Sequence, residues 1–226
     1  MKTMYSIRKL LQEQRMVFLR ISFILITCIN IIGCSTQLYT NIEHNVHLLQ
    51  KDELKLNGLT FITPTTITGM EEDKQYLALT FSHELKKKRP ELKIADLSYA
   101  LGAINKSNYS IDYAQMYSGY RSTGIFNKKT LKRIGEITDN RYICQLKLSH
   151  FKSEAQGRLG FLGLALFDTE KANLRLFVQI WDSHLGIIVW EAAQEITYAY
   201  DTSSEDAVTF ERMIRLAADE IAKVLP

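Results

Sequence analysis

Three cysteines in 226 residues are too few for a disulfide framework. Cys28 and Cys34 lie in or beside an apolar stretch near the amino terminus, which leaves Cys144 alone in the remainder. A single thiol makes no intramolecular disulfide, so the fold must rest on its apolar core. Cys144 stands in the strand-like run Arg141-Tyr-Ile-Cys-Gln-Leu-Lys-Leu-Ser-His-Phe151 and reads as a small buried hydrophobe. A bilayer-spanning run is lacking too, because Ile21–Gly33 falls short of the roughly 18 apolar residues needed. Charge excess is missing where it would matter. Of 28 basic and 25 acidic residues, the first 33 positions hold five basic (Lys2, Arg8, Lys9, Arg15, Arg20) and one acidic (Glu13), leaving 23 and 24 from Cys34 onward. The leader is thus net +4 and the remainder −1, so the chain's net +3 comes from the leader and reads as a targeting signal, giving no reason to expect a nucleic-acid partner.

Motifs for catalysis are also absent. His83-Glu84 opens like a zinc-protease helix, but Lys87 stands where the second histidine belongs. Gly157-Arg-Leu-Gly-Phe-Leu-Gly163 has neither the lysine nor the helix of a phosphate loop, and no Gly-x-Ser-x-Gly elbow occurs. His44 and His47 lack a third metal ligand nearby. His150, His184, Asp168 and Asp182 lie near the ends of strand-like runs, where surface polar residues are the default reading. A chance Ser/His/Asp grouping among them is what an envelope hydrolase would require. The expectation is a chain with no catalytic residues, no metal and no cofactor.

What the chain does have begins with its leader. A basic stretch followed by a short apolar core reads as a secretory signal. Twenty residues ahead of Ile21 are long for such a leader, and Met16-Val-Phe-Leu-Arg20 is expected to be the real start. Directly after the apolar core, Ile31-Ile32-Gly33-Cys34 resembles the lipobox of bacterial lipoproteins. That resemblance implies cleavage between Gly33 and Cys34, a diacylglyceryl group on the Cys34 thiol, and an N-acyl group such as palmitate on the new terminus. One acyl chain binds a membrane only marginally, at about 0.8 kcal/mol per buried methylene, so three chains amount to permanent anchoring. Ser35, in place of the aspartate that marks inner-membrane retention, implies the outer membrane with the folded part facing the periplasm. Inner-membrane anchoring is the alternative.

The expected organisation is a signal peptide over 1–33, a lipidated cysteine and tether over 34–57, and one domain over 58–226. A short helix around Val46–Leu54 is expected within the tether. Leu59–Thr63, stopped by Pro64, reads as a first strand. Thr68-Gly-Met-Glu71 has the pattern of a capping box, opening a helix to Lys88 with Leu77, Phe81 and Leu85 on its core face. The cations Lys86 to Arg89 suit a solvated helix end. Leu92–Ala95 reads as a short strand, and Leu97–Asn105, Ile111–Tyr120 and Lys128–Thr138 as three short helices. Tyr109, Tyr113, Tyr117 and Tyr120 recur at three- and four-residue steps and are read as packing, with a sugar or peptide site as the alternative.

Tyr142–Phe151, Leu174–Trp181 and Ile187–Tyr198 carry the strand signals, the last two joined by a hairpin loop at Asp182–Gly186. A final amphipathic helix is expected over Glu205–Val224, capped by Ser203 or Ser204. The class is therefore α+β, a mainly antiparallel sheet with helices packed on it. Gly157–Phe167 is the unusual segment, three glycines among six large apolar side chains. It reads either as a strand with its apolar face buried or as an exposed loop meeting a partner or membrane. Leu159, Phe161, Leu162 and Leu164 are its candidate contact residues.

Asp139-Asn-Arg-Tyr-Ile143, the hairpin Val178-Gln-Ile-Trp-Asp182…Gly186-Ile-Ile-Val-Trp-Glu191 and the final Arg215–Pro226 together resemble one broad group. It contains the curli-secretion channel lipoprotein, the outer-membrane activators of penicillin-binding proteins and the amino-terminal domain of the Tol-system propeller protein. The resemblance implies a non-catalytic envelope module that binds a protein partner, with self-assembly into a secretion pore as the alternative. Gly157–Phe167 falls where the curli channel carries a membrane-inserting hairpin, but it is too short for two spanning strands of about ten residues each.

Overall fold

The computed structural model describes Met16 and residues 36–161, 164–202 and 208–226, with the backbone alone at 36, 155–161, 164–169, 201 and 202. Chain contacts divide the molecule into Met1–Ser35 and Thr36–Pro226, and apart from Met16 every described residue belongs to the second unit. Its elements run β1 (Thr36–Val46), α1 (Glu53–Asn57), β2 (Leu59–Phe61), α2 (Glu71–Lys88), β3 (Ile94–Ala95), α3 (Leu97–Lys106), α4 (Ser110–Thr123), α5 (Lys128–Thr138), β4 (Tyr142–Phe161), β5 (Leu164–Asp182), β6 (Ile187–Thr202) and α6 (Phe210–Val224).

The six strands form one sheet in the order β1-β6-β5-β4-β2-β3. Its four long strands pair antiparallel, while the short β2 lies parallel to both β3 and β4. The α+β class holds, as a mixed sheet that is antiparallel over most of its area. Period-two alternation puts Leu174, Leu176, Val178 and Ile180 of β5, and Trp190, Ala192 and Ile196 of β6, on one buried face. That face packs against α2 through Leu77, Phe81 and Leu85 and against α6 through Met213, Ile214, Ala217 and Ile221. Burying one such Leu, Ile or Met side chain contributes about 1.5–3 kcal/mol. A smaller cluster forms on the opposite face near β2, where Ile143 and Trp181 meet Ile104 of α3, Tyr113 and Met116 of α4, Phe126, and Leu131 and Ile134 of α5.

Several expectations are corrected. Most of the expected tether is folded, since β1 pairs with β6 from Thr36↔Tyr200 to Val46↔Trp190 without a break. The helix expected at Val46–Leu54 is the single turn α1, further along the chain. No capping box opens α2. Met70 occupies the N-cap position, and the Thr68 hydroxyl instead accepts from the Met70 N–H at 3.2 Å and donates to Asp73. The last helix begins at Phe210, five residues later than expected, and Thr209 caps it by accepting from the Arg212 N–H at 3.2 Å. Ser203 and Ser204 lie outside the described residues. Cations at the end of α2 do more than face water. Arg89 donates to the carbonyls of Ala222 at 3.2 Å and Leu225 at 3.0 Å, binding the otherwise unpartnered carboxyl end of α6. Lys88 meets Asp219 at 2.5 Å.

Candidate interaction surface

Gly33, Cys34 and Leu162 lie outside the described residues. Leu159, Phe161 and Leu164 are described by their backbone and lie on strand, the first two in β4 and the third in β5. Strand β4 extends ten residues beyond the expected Phe151. The register shows what the extra length makes. Strand β6 accompanies β5 only as far as Asp168↔Thr202, and β1 accompanies β6 only as far as Thr36↔Tyr200. Beyond Gly157↔Asp168 the pairs Leu159↔Phe167, Gly160↔Ala165 and Phe161↔Leu164 continue as a two-stranded ribbon, with irregular register on either side of Leu159. The β1 amino terminus and this ribbon therefore lie at the same end of the sheet.

Strand β1 is the feature that sequence reasoning missed. It closes the sheet on one side and, among the described residues, nothing pairs with its other edge. Natural edge strands are usually short, bulged, or guarded by lysine or proline, because an open edge is a template for another strand. Eleven residues long, β1 keeps an unbroken register and contains neither lysine nor proline. Leu38 is 42% exposed, Tyr39 67% and Val46 52%. Its signal in the sequence is the weak alternation Leu38, Thr40, Ile42, His44, Val46 on one face, with polar members interrupting the apolar ones.

Several of the other singled-out side chains have structural partners. Tyr113 and Tyr117 are packed between α4 and the sheet, with ring centroids 5.1 Å apart. The Tyr113 hydroxyl accepts from the Thr63 N–H at 2.9 Å, and that of Tyr117 donates to the Thr63 carbonyl at 2.7 Å. Burial pushes both phenols above their ordinary value. Cys144 is buried and its thiol is likewise pushed up by desolvation, which suits packing rather than reactivity. His44 stacks on Trp190, and His47 lies 3.3 Å from Glu191. The Glu84 side chain is buried beside Arg215 at 3.0 Å. Among the described residues no group of three His, Cys, Asp or Glu side chains is placed to hold a metal.

Asp182 opens the β5–β6 turn and is 1% exposed. Its Oδ2 accepts from Arg141 Nε at 2.9 Å and Nη2 at 2.6 Å, and its Oδ1 from the N–H groups of His184 at 2.8 Å and Leu185 at 3.1 Å. Burial alone would raise this carboxyl, but the guanidinium and the two backbone donors outweigh it and hold the group below its ordinary value. The Asp182 side chain is thus committed to holding the turn against β4. A cleft of about 480 Å³ between α4 and α5 has Met116, Gly119 and Phe126 in its lining, with Asp112 and Lys129 also among its walls.

No family model matches the sequence, and no curated protein matches it either. The resemblance to the curli-channel group therefore has no matching family model behind it. Solved structures similar to this chain include the PelC dodecamer from Paraburkholderia phytofirmans, at 12% identity and a TM-score of 0.42, covering 83% of this chain and 95% of that one. They also include lipoprotein GNA1162 from Neisseria meningitidis, at 12% identity and 0.34, covering 73% and 97%. A PDZ domain protein from Parabacteroides distasonis follows at 9% identity and 0.33, covering 87% and 38%. Scores and identities this low support no conclusion about what this chain does.

Proposed function

We propose that this chain is a lipid-anchored lipoprotein of the bacterial envelope and acts as a non-catalytic module that binds a protein partner along the open edge of β1. The anchor is argued from Ile31-Ile32-Gly33-Cys34 and Ser35, with the outer membrane as the favoured site. The observation that carries the binding reading is the unguarded edge of β1, eleven residues long in unbroken register with β6. A partner strand added there would extend the sheet to seven strands. Each main-chain hydrogen bond it gained would contribute about 0.5–1.5 kcal/mol net, and the alternating side chains of β1 would select among partners. One face offers Leu38, Ile42 and Val46; the other offers Tyr39, Asn41 and Glu43.

The test is chemical crosslinking of the lipoprotein in envelope membranes, followed by its purification, beside a Cys34→Ala control. A defined partner of different mass, lost or mislocalised in the control, supports the proposal. A ladder of multiples of the chain's own mass overturns it in favour of a self-assembling component.

A further inference from the structure

The sheet brings two things to one end: the strand nearest the lipidated cysteine, and the apolar ribbon of β4 and β5. Thr36 stands opposite Tyr200, which stands opposite Glu170, which stands opposite Ala155. The ribbon starts two steps further out, beyond Gly157↔Asp168. Cys34 is two residues before Thr36, so covalent connectivity alone keeps it within about 8 Å of that position. From Gly157 to Phe161 the ribbon rises four steps, about 14 Å at the usual strand spacing. Its composition changes at the same level. Lys152, Glu154, Asp168, Glu170 and Lys171 lie below it, whereas Arg158 is the one charged residue between Gly157 and Phe167. On β1, Leu38 and Tyr39 are exposed within three residues of Thr36, and an exposed tyrosine suits the boundary between water and lipid.

We infer that the ribbon Leu159–Phe161 with Leu164–Phe167 seats in the same lipid leaflet that holds Cys34, as a second anchor that stands the sheet upright on the membrane. The inference rests on the lipid-anchor reading above. The backbone sets its depth. Among the described residues nothing pairs with the outer edges of the ribbon, and open strand edges are not tolerated inside hydrocarbon. At the headgroup and upper acyl level, about 5–10 Å deep, those groups still meet water and lipid headgroups. A rise of about 14 Å is also well short of the roughly 30 Å needed to cross. Phospholipid is preferred over a protein occupant because the neighbouring Cys34 lipid already fixes this end of the sheet at a bilayer surface.

The experiment uses the lipidated full chain, matured in a Gram-negative host and reconstituted into phosphatidylethanolamine–phosphatidylglycerol vesicles. An environment-sensitive fluorophore is attached at Leu164→Cys or, as control, at Lys171→Cys, an exposed position on β5 seven residues away. Cys144 is buried and does not compete for label. At position 164 the emission is expected to shift to the blue on reconstitution and to be quenched by nitroxide-bearing phospholipids. Position 171 should keep its aqueous emission, and adding Phe161→Asp should return position 164 to it. Aqueous emission at 164 in a sample whose amino-terminal peptide carries lipid overturns the inference and leaves the anchor reading intact. A blue shift that lipid nitroxides do not quench means a protein occupant and also overturns it. An amino-terminal peptide without lipid overturns the anchor reading itself.

Discussion

Arg141→Ala would leave the Asp182 carboxylate, 1% exposed, without the two guanidinium hydrogen bonds at 2.9 and 2.6 Å that hold its Oδ2. The backbone donors of His184 and Leu185 would remain on Oδ1. Breaking a buried ion pair by removing one partner costs about 3–5 kcal/mol. The lower figure applies, because the Arg141 side chain is 32% exposed and Asp182 keeps two donors. For a domain of this size about 3 kcal/mol corresponds to roughly 6–12 °C in Tm. The pH dependence separates this cause from general damage. The folded carboxyl is held below its ordinary value, so its contribution is present above the unfolded pKa of about 3.9 and is lost as pH falls through the folded value. The penalty of Arg141→Ala should therefore be full near neutrality and shrink at about pH 3. Urea unfolding followed by the fluorescence of buried Trp181 and Trp190 measures both. A penalty under about 0.5 kcal/mol, the range of an ordinary surface substitution, would refute the reasoning. So would a full penalty that does not change with pH.

Three further outcomes follow from the same geometry. Gly58→Ala should destabilise by about 2–4 kcal/mol, read as a lowered Tm, because Gly58 has φ +73° and an added Cβ would lie 1.9 Å from Asn140 Oδ1. Tyr117→Phe should cost about 1 kcal/mol in urea unfolding by removing the donor to the Thr63 carbonyl, and an unchanged midpoint would show that this bond contributes nothing net. Cys144 should resist Ellman's reagent in the native protein and react on unfolding, since burial both shields the thiol and raises its pKa; rapid native reaction would contradict that burial.

The helical elements and the hairpin core were largely legible in the sequence, because each has one face against the core. Leu77, Phe81 and Leu85 are buried as their spacing requires, and α5 spans Lys128–Thr138 as expected. Strand ends were less legible where the ladder leaves the core. Lys152–Gln156 and Asp168–Asn173 looked like polar runs between elements, yet both are strand. Lys152 and Lys171 are exposed there and Glu154 is half-exposed, while Glu170 is a charged residue on a buried position, so the apolar signal weakens while backbone pairing persists. Strand β1 was hidden for a related reason. Leu38, Ile42 and Val46 fall every fourth residue, which suits a helix turn as well as a strand, and only β6, some 150 residues away, decides between them. The Arg141–Asp182 pair joins positions 41 residues apart, and the parallel pairing of β2 with β4 spans about twice that, so neither leaves a local pattern. Of the candidate contact residues, Leu159, Phe161 and Leu164 were placed on strands, which tells more about their reach than about what they touch.

The central claim, a partner docked on the open edge of β1, is tested most directly by site-specific photocrosslinking in living cells. A photoreactive amino acid would replace Asn41, exposed on β1, and in a second strain Lys147, exposed on the interior strand β4. The account predicts a discrete adduct with another envelope protein from position 41, absent from position 147 and lost when Cys34→Ala is added. No adduct from position 41, or a ladder in multiples of the chain's own mass, would contradict it.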